Sequence, residues 1–172
     1  MRKVSGEGGN MKYTFCWVVA ALLTEVHCQR YTEVVTTDKG AVQGRILKTV
    51  VNSMSYSFFK DIPFAKPPVG DLRFSDPIEA DPWTGVLNAT EDSIECVQFL
   101  DVTQPGREDC LYLNVFTPVL NFTKMDRLLP VMIWIYGGAY TVGSISREAI
   151  GPDLFLENNV IFVDMNYRLG PL

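Results

Sequence analysis

Tyr136-Gly137-Gly138-Ala139-Tyr140 is the segment of this sequence that could do chemistry with its backbone alone. Adjacent glycines let the chain turn sharply enough for consecutive N–H groups to point into one cavity. Donors arranged in that way can stabilise an alkoxide-like oxygen in an acyl-transfer transition state. On these residues alone a plain Gly-Gly turn is the simpler reading. A phosphate loop is excluded. Gly138 and Gly143 have the Walker spacing, but Ser144 stands where a lysine is required, and adjacent Gly137 and Gly138 break the G-x-G-x-x-G pattern. What is missing matters as much: no G-x-S-x-G occurs in the 172 residues, and the sole histidine is His27.

His27 falls in a segment that reads as a leader. The apolar run Tyr13–Leu23 has 11 residues, too short for the roughly 20 that a spanning helix needs. Arg2, Lys3 and Lys12 precede it, and Val26-His27-Cys28 offers compact residues at the −3 and −1 positions of a cleavage site. Residues 1–28 are therefore expected to be a secretory signal peptide, with Met11 as an alternative start. Cleavage would remove His27, leaving no imidazole for general-base catalysis or metal binding. It would also remove Cys16 and Cys28, leaving Cys96 and Cys110. An even pair in an exported chain favours a disulfide, here closing a surface loop with 13 residues between the cysteines. Asn88-Ala-Thr90 and Asn121-Phe-Thr123 are N-glycosylation sequons; behind a leader, both Asn88 and Asn121 are expected to be occupied.

The elements that must position the glycine loop are legible in outline. The composition, 47% hydrophobic and 20% charged, is that of a globular chain, and a net charge of −5 without any basic run excludes nucleic acid as an expected partner. Glu33–Thr37 and Ala41–Leu47 flank Asp38-Lys-Gly40 and predict a hairpin. Ser57–Phe59 predicts a short strand, the prolines of Ile62–Trp83 an irregular crossing, and Leu111–Phe116 a further strand. Val131–Ile135 and Val160–Val163 are continuously apolar, as in strands covered on both faces of a parallel sheet. A short helix is expected around Leu154–Asn158. The architecture is α/β with an antiparallel amino-terminal edge, and the glycine loop falls at the carboxyl end of a strand, where open α/β sheets place their sites.

Five segments then carry a resemblance. Glu108-Asp-Cys-Leu-Tyr-Leu-Asn-Val-Phe-Thr-Pro118 resembles the type-B carboxylesterase and cholinesterase signature at every position. Phe59–Phe74 resembles that family's proline-rich crossing, and Trp83–Thr90, Trp134–Tyr140 and Asn166–Gly170 follow in the family's order. The resemblance covers roughly residues 32–172. It implies an α/β-hydrolase fold, here its amino-terminal part: an antiparallel edge hairpin and the first strands of a central, mostly parallel sheet. It also implies that Gly138 and Ala139 donate oxyanion-hole N–H groups, that Cys96 and Cys110 form the first disulfide loop, and that Arg73 and Glu108 form an ion pair bracing it. Arg168 is expected in a second pair whose acidic partner lies beyond Leu172. The substrates implied are small carboxylic esters, with no cofactor and no metal.

The departures narrow this reading. Ala139 replaces a frequent third glycine, and Asp61 stands where glycine is common. The segment between Cys96 and Cys110 has no tryptophan, whereas cholinesterases bind the choline cation on an aromatic there; a cholinesterase is disfavoured. Asp164 reads as a polar strand-end residue. The family places its nucleophile elbow, acid and histidine farther along, so residues 29–172 are expected to be the first part of a secreted serine ester hydrolase, inactive alone. Val160–Val163 is expected to lack its later neighbours and to form an unpaired apolar edge. The competing function is a catalytically dead, esterase-like adhesion or binding protein.

Overall fold

The computed structural model describes residues 30–91, 95–98, 106–124, 127–145 and 151–172. The expected leader, with Cys16, His27 and Cys28, lies outside the described residues. Two sheets carry the architecture. The smaller has the order β1-β2-β5, with β1 at Val35–Thr36, β2 at Ala41–Gln43 and β5 at Val86–Asn88. The larger has the order β3-β4-β6-β8-β7, from Arg45–Lys48, Ser55–Pro63, Tyr112–Thr117, Ile161–Met165 and Val131–Trp134.

The predicted hairpin forms, since β1 pairs antiparallel with β2, but its second arm is divided between the two sheets. The division falls at Gly44, where an added Cβ would sit 2.0 Å from the Phe58 carbonyl oxygen. Backbone approaches backbone too closely there for any side chain, and the strand changes sheets. β4 is longer than Ser57–Phe59 predicted, because it pairs with β3 on one side and β6 on the other. Its register shifts between Phe59 and Ile62. Asp61 lies in that bulge with φ 53°, which explains why a glycine suits the position. β5 was not foreseen; Val86-Leu-Asn88 is too short and too exposed to show a period.

β6 pairs antiparallel with β8, and β8 pairs parallel with β7. The larger sheet is thus mixed, with one parallel pair among the described strands. The unpaired apolar edge is not the Val160–Val163 segment, because β8 lies between β6 and β7. The edge is β7, whose Val131, Met132, Ile133 and Trp134 are between 39% and 59% exposed. Its apolar run fits burial on both faces, yet among the described residues nothing covers it.

Among the described residues one α-helix, α1 at Asp153–Glu157, packs on the middle strands of the larger sheet. Leu156 is fully buried against Tyr56, Phe58, Phe116 and Phe162. Phe58 stacks on Phe116 at 5.3 Å, and Phe155 on Phe162 at 4.9 Å. Each such ring contributes on the order of 1.5–3 kcal/mol by leaving water, so this aromatic layer holds β4, β6 and β8 in register. A second core, with Ala65, Cys96, Cys110, Leu111, Tyr136, Ile145 and Leu169, lies under the glycine loop.

Candidate active site

The glycine loop starts where β7 ends. Tyr136 is buried and stacks on Tyr167 with ring centroids 4.4 Å apart. The Tyr167 hydroxyl donates to the Tyr136 carbonyl at 2.7 Å, and the Tyr136 hydroxyl donates to the Tyr167 carbonyl at 3.3 Å. Burial pushes the Tyr136 phenol up to about 12, so it stays protonated and keeps its donor role. The chain then coils on itself. The Gly138 carbonyl accepts from the N–H of Thr141 at 3.0 Å, from the N–H of Val142 at 3.2 Å and from the Thr141 hydroxyl at 3.1 Å.

That coil demands left-handed backbone. Gly138 has φ 136°, Ala139 φ 53° and Tyr140 φ 62°. A Cβ at Gly138 would lie 1.9 Å from the Val142 carbonyl oxygen, so the position is closed to other residues. Ala139 occupies the left-handed region at the modest cost that makes glycine frequent there. With the carbonyl of Gly138 saturated, the N–H groups of Gly138 and Ala139 meet no backbone acceptor among the described residues. Both residues border a cavity of about 320 Å³ lined by Ile135–Tyr140 and Tyr167. Consecutive N–H donors beside a cavity are what stabilisation of a developing oxyanion requires.

The loop is tied to the Arg168 segment and to the disulfide. The Gly170 N–H donates to the Tyr140 carbonyl at 2.7 Å. Gln98, two residues past Cys96, accepts from the Gly143 N–H at 3.0 Å and donates to the Gly143 carbonyl at 3.3 Å. The disulfide joins Cys96 and Cys110, with Cα atoms 5.0 Å apart, inside the usual 4.4–6.8 Å window. The Arg73 Nε lies 2.6 Å from a Glu108 oxygen, and that hydrogen bond and charge raise the guanidinium pKa further. Arg168 reaches back to the segment that holds Arg73. Its guanidinium donates to the carbonyls of Arg73 at 2.9 Å and Ser75 at 2.8 Å, so carbonyl oxygens of the proline-rich crossing receive its fork.

The remaining singled-out residues lie apart from the loop. Asn88 and Asn121 are exposed, and each side-chain oxygen accepts from the threonine hydroxyl of its own sequon, at 2.8 Å and 2.7 Å. Asp164 lies one residue short of the carboxyl end of β8, as the fourth of its five residues, and is buried. Desolvation raises its carboxyl to about 7 against the opposing effects of Asn114 and Lys60. Tyr167 and Gln98 were not singled out from the sequence. Nothing in the spacing of either signals a partner in the loop, because both contacts are made by folding distant segments together.

Comparison with known proteins bears on the family and the fold. The model of the carboxylesterase family matches residues 31–172. Juvenile hormone esterase from Tribolium castaneum is 45% identical over 140 residues, covering 79% of this chain and 23% of that protein. Venom carboxylesterase-6 from Apis mellifera is 41% identical over 143 residues, covering 80% of this chain and 25% of that protein. Among solved structures, juvenile hormone esterase from Manduca sexta with OTFP covalently attached superposes with a TM-score of 0.70 at 30% identity. That match covers 83% of this chain and 27% of the other. The chain thus spans about a quarter of the length of the curated relatives it matches.

Proposed function

The chain belongs to the carboxylesterase family, whose fold is the α/β-hydrolase fold, and on that premise we propose that the whole protein hydrolyses carboxylic esters through an acyl-enzyme. A serine outside these residues attacks the ester carbonyl, a histidine takes its proton, and a carboxylate orients the histidine. The N–H groups of Gly138 and Ala139 hold the oxyanion. One observation carries this reading: the coil at Gly138 closes on its own carbonyl, and Gly138 and Ala139, whose N–H groups meet no backbone acceptor among the described residues, both line a cavity.

The 172 residues supply one half of that machinery. They contain no G-x-S-x-G, and their single histidine lies in the expected leader. On this reading the chain alone does not turn over esters. The protein is exported by residues 1–28 and carries glycans at Asn88 and Asn121, and Arg73 with Glu108 braces the disulfide loop that supports the oxyanion loop. The chemical class of substrate is the carboxylic ester shared by the relatives' names, and its acyl chain is set by residues outside these.

The test compares the 172-residue chain with the protein extended through its nucleophile and histidine. The extended protein should hydrolyse p-nitrophenyl acetate and label stoichiometrically with a serine-directed organophosphate. The chain alone should do neither. An extended protein that folds but neither labels nor hydrolyses would replace the reading with that of an esterase-like binding protein.

A further inference from the structure

We infer that Gln98 is a positioning residue for the oxyanion loop and couples that loop to the Cys96–Cys110 disulfide. The inference rests on the ester-hydrolase reading for its kinetic consequence, but the contact itself does not. Gln98 acts as a backbone surrogate. Its Oε1 accepts from the Gly143 N–H at 3.0 Å, while its Nε2 donates to the Gly143 carbonyl and to a Glu95 carboxylate oxygen, both at 3.3 Å. These three partners fix which way the amide points, because a flipped amide would set donor against donor and acceptor against acceptor. The two bonds to Gly143 are also the only hydrogen bonds Gly143 makes among the described residues.

Gly143 is where the loop closes. Its φ is 128°, and a Cβ there would lie 2.4 Å from the Tyr136 ring and 2.9 Å from the Gly137 carbonyl oxygen. The end of the loop is therefore folded back on its start. The start is held by the Tyr136–Tyr167 pair, and the middle by Gly170 on Tyr140. Gln98 supplies the third hold, and does so from a rigid base. The Val97 N–H donates to Arg107 at 3.2 Å, the Arg107 N–H donates to Glu95 at 2.9 Å, and the disulfide closes the same segment. Removing the amide frees the Gly143 end, and with it the coil that presents Gly138 and Ala139. Small displacements of such donors are costly; about 1 Å can cost roughly a hundredfold in rate.

The test uses the extended protein with Gln98→Met, which keeps the length and packing of the side chain and removes its hydrogen bonds. Turnover should fall about tenfold with KM within about twofold, and affinity for a trifluoromethyl ketone, which binds as a tetrahedral oxyanion, should fall in parallel. Amide exchange in the peptide 136–143 should accelerate while the β1-β2-β5 sheet is unchanged. Gln98→Asn, which keeps the amide but draws it back by one methylene, should give the same readings if Gln98→Met does not fold. Val42→Ala, in the small sheet, controls for lost stability, since it should lower the melting temperature without moving ketone affinity. Wild-type turnover and ketone affinity in Gln98→Met would overturn the inference. If the unsubstituted protein hydrolyses no ester, the ester-hydrolase reading falls, and the exchange measurement alone decides the clamp: unchanged exchange at 136–143 overturns it.

Discussion

Gly138→Ala should abolish most of the activity of the extended protein, and the structure sets the size of the effect. The added Cβ would sit 1.9 Å from the Val142 carbonyl oxygen, where ordinary contact begins at 3.4 Å. The coil must open by about 1.5 Å, the difference between those two distances. The atom in the way is backbone, so no rotamer change relieves the clash. Opening breaks the turn from Thr141 and Val142 to the Gly138 carbonyl and moves the Gly138 N–H away from the cavity. Loss of one oxyanion donor typically costs about 10²–10³ in turnover. We expect kcat/KM for p-nitrophenyl acetate to fall at least a hundredfold, on the order of the donor's worth, with protein quantity normalised to folded molecules by circular dichroism. Gly137→Ala is the internal comparison. Its Cβ would meet nothing within 4 Å, and it should lose less than about tenfold, well short of a donor's worth. If both variants lose equally, or if Gly138→Ala stays within about threefold of the parent, a range too small for a lost donor, the reasoning is wrong.

Other outcomes follow from the same contacts. Replacing Cys96 and Cys110 with serine should lower the free energy of unfolding by about 3 kcal/mol in urea; an unchanged midpoint would show that the bridge is not formed in the protein. Asp164 gives a pH dependence of definite sign. Its carboxyl titrates near 7 in the fold, against 3.8 as the ordinary value. Between those two pH values the folded state holds a proton the unfolded chain has released, so stability from this group falls as pH rises from about 4 to about 7 and is level above. Asp164→Asn should remove that slope and stabilise the protein at pH 7 by on the order of 4 kcal/mol; a slope that survives the substitution would place the titration elsewhere. Protein secreted from a eukaryotic host should lose mass on deglycosylation at two sites, one removed by Asn88→Gln and one by Asn121→Gln, and a single unglycosylated species would contradict export with occupancy.

How much was legible follows the range of the interactions. Local signals served well: the turn at Asp38-Lys-Gly40 produced its hairpin, and the apolar runs at Val131 and Val160 produced adjacent parallel strands. The order of the strands was less legible. β8 inserts between β6 and β7, an arrangement set by long-range pairing rather than by any residue in Val160–Val163, and so the exposed edge was assigned to the wrong strand. The break at Gly44 depended on how closely Phe58 approaches, which is invisible until the two strands are paired. The glycine loop was legible as a turn able to free its N–H groups. Its supports were not, because Gln98, Tyr167 and Gly170 reach it from distant parts of the chain. Asp61 and Ala139 fall between the two cases. Both are visible departures from glycine, and their left-handed φ values of 53° supply the reason.

The central claim, that Gly138 and Ala139 hold a developing oxyanion, is tested most directly by the structure of the extended protein with a trifluoromethyl ketone bound as a tetrahedral adduct. The account predicts the adduct oxygen about 2.7–3.1 Å from both N–H nitrogens, with the Gly138 carbonyl still closed on Thr141 and Val142. An adduct oxygen directed to solvent, or held by donors other than these two, would contradict it.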